Sequence, residues 1–219
     1  MRRTLKLVGA LVALAILFVT VQFCAAFIRT PSVVAQAEQS TNLQLQLSAF
    51  REPRLQWLLK VQDPDFYRHH GVDSGTPGAG YTTITQGLVK ELFYSYSFKP
   101  GLLRWRKMQQ TIIALAFNAR VPKEKQLQLF VNLAYMGNRD GRRIVGFSQA
   151  AQEYFGKDFQ NLTDEEYLTL VAMLVAPGKF SPATHLADNR ERVMRIRRVL
   201  AGTCKPVDHA DVEYVACGQ

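Results

Sequence analysis

One feature limits this chain before any other: an apolar run from Leu7 to Ile28, broken only by Thr20 and Gln22 and preceded by Arg2, Arg3 and Lys6. A helix needs about 20 such residues to cross the hydrocarbon core of a bilayer. The basic flank predicts a cytoplasmic N-terminus, with the rest of the chain on the outer side of the inner membrane. Ala35-Gln36-Ala37 resembles a small-residue cleavage site, so a removed signal peptide is the competing reading. The apolar run is longer than the roughly 7–15 residues of a signal core, which favours a retained anchor. The expected organisation is a cytoplasmic tail at 1–6, a transmembrane helix at 7–28 that Pro31 ends, and a connector at 29–50. A folded domain at 51–202 and a C-terminal tail at 203–219 complete it.

At 219 residues, the length beyond the anchor suits one well-buried domain rather than two. The net charge of +9 fits an anionic partner or a membrane surface. A nucleic-acid partner would suit that charge, but no recognisable nucleic-acid module is present and the anchor argues against one. No Cys/His spacing marks a metal centre. Cys204 and Cys217 both lie in the exported tail, where an oxidising compartment permits a disulfide.

Along the chain, Leu55, Leu58 and Leu59 keep helical spacing up to Gln62. Asp63-Pro64 reads as the start of another helix, with Asp63 as its N-cap. Residues 74–80, Ser-Gly-Thr-Pro-Gly-Ala-Gly, read as a flexible loop. Thr83 and Gln86 fit a capping box ahead of a helix with Ile84, Leu88 and Leu92 inward. Leu103 to Arg120 carries Met108, Ile112, Leu115 and Ala116 as its apolar stripe, and Pro122 opens a helix that buries Leu127, Phe130, Val131 and Ala134. Asn138 to Gly146 reads as loop, and Gly146 to Phe155 as a short helix. A capping box at Thr163 and Glu166 precedes a helix from Tyr167 to Val175. The last helix is capped by Asp188, buries Val193, Ile196 and Leu200, and ends at Gly202. Since nothing alternates with period two, the fold class is all-α.

Five segments then stand out together. They are QDPDFYRHHGVD (62–73), GYTTITQGLVKELF (80–93), RKMQQTIIALAFNARVPKEKQLQLFVN (106–132), YMGN with GFSQAAQEYFGK (135–138 and 146–157), and LTDEEYLTLVAMLVAPGKFSP (162–182). In this order they resemble the five motifs of the peptidoglycan glycosyltransferases, family 51, over roughly Trp57 to Pro182. The resemblance implies a lysozyme-like α-helical domain behind a single transmembrane helix. It also implies action on lipid II, the undecaprenyl-diphosphate-linked disaccharide-peptide, and proximity to other cell-wall synthesis proteins. In that family a glutamate acts as general base on a sugar 4-hydroxyl, which attacks the anomeric carbon of the donor chain as the lipid diphosphate leaves. A leaving diphosphate needs cations and donors around its developing charge. By resemblance that task falls to Lys90, Arg106 and Lys107. Phe66, His70, Thr82, Thr83, Thr85, Gln86 and Asn132 are the other substrate-contact candidates. A divalent metal is the only cofactor the resemblance implies.

Each residue also has a plainer explanation: the lysines and arginine as solvated helix residues, Thr83 and Gln86 as caps, Phe66 and Tyr67 as core. Only their joint order points to a site. Two positions depart from the family pattern: Gln62 stands where the base glutamate belongs, and Gln110 where the third motif has its own glutamate. The segment from Asp73 to Gly80 is also short. An amide keeps the size and hydrogen bonding of a carboxylate but cannot take a proton near neutral pH. Three functions follow. The first is a polymerase with a displaced base, drawn from Asp63, Asp65 or His69. The second is a non-catalytic relative that binds lipid-linked sugar or a synthesis partner. The third is a glycan-cleaving enzyme, which would need a protonated carboxyl that neither glutamine supplies.

Overall fold

The computed structural model describes residues 2–41, 43–94 and 103–218. Its first helix, α1, runs from Arg2 to Thr41, so the described part of the expected cytoplasmic tail is already helical; Met1 lies outside the described residues. The apolar side chains between Leu5 and Val21 are largely exposed, as a bilayer-facing surface requires. Pro31 does not end this helix. It sits on the exposed side, where the carbonyl freed by its missing N–H need not be buried. Beyond it, Ala37 is buried and Glu38 pairs with Lys125, so tertiary contacts carry the helix into the expected connector as far as Thr41.

Eight helices and one hairpin are described. α2 spans Arg54–Gln62, α3 Ile84–Phe93, α4 Leu103–Arg120 and α5 Lys123–Leu133. The strands β1 (Tyr135–Arg139) and β2 (Arg142–Val145) follow, then α6 (Gly146–Phe155), α7 (Asp164–Met173) and α8 (Leu186–Ala201). α1 lies along α4, with Phe18 against Trp105 at 4.9 Å between ring centroids and the Arg120 guanidinium 4.6 Å from the Phe27 ring. α3 packs on both α4 and α5, and α7 on α8. A cluster of Phe50, Phe147, Phe159 and Tyr167 joins the start of the domain to α6 and α7. The Tyr167 hydroxyl donates to the Arg54 carbonyl at 2.7 Å.

Both capping boxes form: Thr83 and Thr163 accept from the backbone N–H of Gln86 and Glu166, whose side chains return the bond. Four local readings are corrected. The residues expected as a loop between Asn138 and Gly146 form the hairpin, turned by Asp140 and Gly141, both at positive φ. The segment after Pro64 is a series of turns, and Asp63 ends α2 instead of starting a helix. His185, not Asp188, precedes α8. On α4, Ile112 and Ala116 are buried but Met108 and Leu115 are exposed. The tail bridge is present between Cys204 and Cys217, and Cys24 is free and exposed.

Candidate functional site

The helical packing leaves a groove of about 960 Å³ between α3 and α4 on one side and the loops that follow α7 on the other. α3 supplies its floor at helical spacing, from the Thr83 cap through Gly87, Lys90 and Glu91 to Tyr94. α4 adds Arg106, Lys107 and Gln110, and α2 ends at the groove with Val61 and Gln62. Of the residues selected from sequence, Gln62, Thr82, Thr83, Lys90, Arg106, Lys107 and Gln110 therefore share one cavity wall.

The cations are crowded. The Lys107 ammonium donates to the Thr82 hydroxyl at 3.0 Å. Burial, then the nearby Lys90, brings its pKa down to about 8. The only acidic side chain lining the groove among the described residues is Glu91, which sequence reasoning passed over and which pairs with Arg143 of β2. Its signal was available in the face of α3 that also carries Lys90 and Tyr94. The Tyr94 hydroxyl is buried, with no hydrogen-bond partner among the described residues.

Both glutamines act as donors. Gln110 Nε2 donates to the Gln86 carbonyl at 2.6 Å, and Gln62 Nε2 to the Val171 carbonyl at 3.2 Å in the last turn of α7. A carboxylate has no hydrogen to offer either carbonyl.

The remaining candidates lie outside the groove lining, and most of them make contacts within the fold. Asp63 is fully buried; its carboxylate accepts from His69 Nε2 at 2.9 and 3.0 Å and from the backbone N–H of Ile84 at 2.9 Å. His69 Nδ1 in turn accepts the Gly71 N–H at 3.0 Å, which fixes the ring proton on Nε2 and leaves no free lone pair. Asp65 pairs with Arg68. Neither Asp63, Asp65 nor His69 lines the groove. The same is true of Phe66, buried beneath Lys123, and of the exposed His70. Thr85 donates to Gln126 Oε1 at 2.7 Å, and Gln86 Nε2 to Thr111 Oγ1 at 3.2 Å; both bonds tie helices to one another. Asn132 brackets Leu45, accepting its N–H at 3.0 Å and donating to its carbonyl at 2.9 Å. None of these eight lines the groove. The described residues contain no group of three or more His, Cys, Asp or Glu side chains placed to hold a metal ion, so the implied divalent metal has no ligand set among them.

A basic groove in a lysozyme-like helical domain, behind a helix long and apolar enough to cross a membrane, defines a class that the comparisons name. The chain belongs to the Transglycosylase family, whose model matches residues 30–201. It is similar to penicillin-binding protein 1B of Vibrio cholerae, with 29% identity over 74% of this chain and 22% of that protein. Penicillin-binding protein 1F of Bacillus subtilis is 33% identical over 61% of this chain and 20% of its own length. Penicillin-binding protein 1B of Escherichia coli is 28% identical over 70% and 19%. The chain thus spans about a fifth of the length of these relatives.

Proposed function

We propose that this protein works in cell-wall glycan assembly as a membrane-anchored lipid II-binding member of its family, holding the lipid diphosphate without polymerising it. The domain would stand on the outer side of the inner membrane, behind a cytoplasmic N-terminus. The crowding of Lys90, Arg106 and Lys107 on one groove wall carries this reading. Keeping like charges together in a partly buried site is unfavourable unless an anion joins them. A diphosphate supplies that anion, and Thr82 offers a hydroxyl beside it. Two points argue against turnover. By the family resemblance Gln62 and Gln110 stand at the two glutamate positions, and Asp63, Asp65 and His69 are each committed to other partners.

The test is the affinity of the full chain for purified lipid II beside that of the Lys90→Ala, Arg106→Ala double variant. A charge-assisted contact contributes about 1.5–3 kcal/mol, so losing two should weaken binding by well over tenfold. Equal affinities would refute the reading.

One observation favours a second reading: Glu91 places a carboxylate in the groove wall. Were the protein to polymerise lipid II, Glu91 would be the base to test, and Glu91→Gln would abolish the turnover.

A further inference from the structure

The family match ends at residue 201, yet the chain continues into a folded tail that lies against the groove. The tail is fixed at several points. The Gly78 N–H donates to the Asp208 carbonyl and the Gly80 N–H to the His209 carbonyl, both at 2.8 Å. His209 Nδ1 lies 3.0 Å from the Thr76 carbonyl. The buried Tyr214 reaches back to the Val61 carbonyl at 2.9 Å, one residue before Gln62. The buried Arg192 of α8 donates to the carbonyls of Ala172 and Val212, joining tail to α7. The loop is shaped to receive the tail. Gly78 and Gly80 both have positive φ; a Cβ at Gly78 would lie 2.7 Å from Pro206, and one at Gly80 would collide with Val212. The Cys204–Cys217 bridge closes the tail on itself against the end of α8.

These contacts revise the expectation of a flexible loop at 74–80, because the tail supplies partners that the loop composition does not. Ala210 and Val212 line the groove beside Gly78 to Thr83, the segment that leads into the Thr83 cap and the cationic face of α3.

We propose that the disulfide-closed tail is a working part of the groove: a strap that holds the Gly78–Thr83 wall in place, so that the closed bridge strengthens binding of a lipid diphosphate. This rests on the diphosphate reading above. A segment closed into a loop by a bridge has fewer open states to populate, so opening the bridge should release the strap before it affects the helices.

The test uses the full chain in detergent micelles in three forms: oxidised, treated with reductant after folding, and as the Cys204→Ser, Cys217→Ser variant. Alkylation confirms the state of the bridge. Amide hydrogen exchange is read at 78–83, and undecaprenyl diphosphate is the binding probe. Opening the bridge should speed exchange at Gly78 and Gly80 by at least about tenfold and weaken probe binding by a similar factor, with exchange in α7 unchanged. Unchanged exchange in both open forms overturns the strap. Faster exchange with unchanged affinity overturns its part in binding. If the oxidised chain itself does not bind the probe, the diphosphate reading falls, and the exchange result still decides whether the tail holds the wall.

Discussion

The side-chain amide of Gln110 donates to the backbone carbonyl of Gln86 across 2.6 Å, linking α4 to α3 at the floor of the groove. That bond depends on an N–H that glutamate lacks. Gln110→Glu would set a carboxylate against a carbonyl oxygen in a mostly buried place. The expected cost is about 2–3 kcal/mol, from an unmade bond plus the desolvation of a charge. Thermal unfolding in detergent reads it, and an unchanged midpoint would show that the bond contributes nothing.

Gln62→Glu should behave differently. Gln62 is only partly buried, and its partner Val171 lies in the last turn of α7, where the helix dipole disfavours negative charge. The loss should stay within about 1 kcal/mol, and the new carboxylate should bind its proton more tightly than a free glutamate. Carboxyl titration by NMR checks the direction; a value below the ordinary glutamate range would contradict it.

Much of this arrangement was legible in the sequence, because local rules and tertiary packing agree there. The Thr83 and Thr163 caps and the bounds of α4 and α6 follow from spacing, the groove positions of Lys90, Arg106 and Lys107 from motif order, and the Cys204–Cys217 pair from two cysteines in an exported tail. The readings that failed depend on partners far away in the chain. Pro31 should have broken a helix that α5 instead supports through Lys125. Asp63 was read as the cap of the segment after it, whereas its carboxylate accepts the first N–H of α3, far along the chain. No local pattern shows that His69 would spend both nitrogens on Asp63 and Gly71. The Asp140-Gly141 pair was a readable hairpin signal that the flanking arginines obscured.

Asp63 should prove structural. Asp63→Ala leaves the Ile84 N–H and the His69 ring without their acceptor, at an expected cost of about 2–4 kcal/mol. Lipid-diphosphate affinity of the folded fraction should not change. Intact stability with lost affinity would return Asp63 to the site.

Binding should weaken with rising pH earlier than an ordinary lysine allows. Lys107 is charged below about 8 in the free protein and loses its proton above that, so its contact with an anion is present at neutral pH and declines through mildly alkaline pH. A lysine near its usual value of 10.5 would hold its contact through that range. Lys107→Arg should abolish the decline, and a natural protein whose affinity stays flat to pH 10 would contradict the assignment.

Retention of lipid II without polymerisation is read from the fate of labelled lipid II incubated with the detergent-solubilised chain. After capture of the protein, the bound label is extracted and resolved by chain length. Lipid II should be retained and recovered as the monomer, and retention should be lost in the Lys90→Ala, Arg106→Ala variant. Glycan strands formed by the natural protein, or label retained equally by the variant, would contradict it.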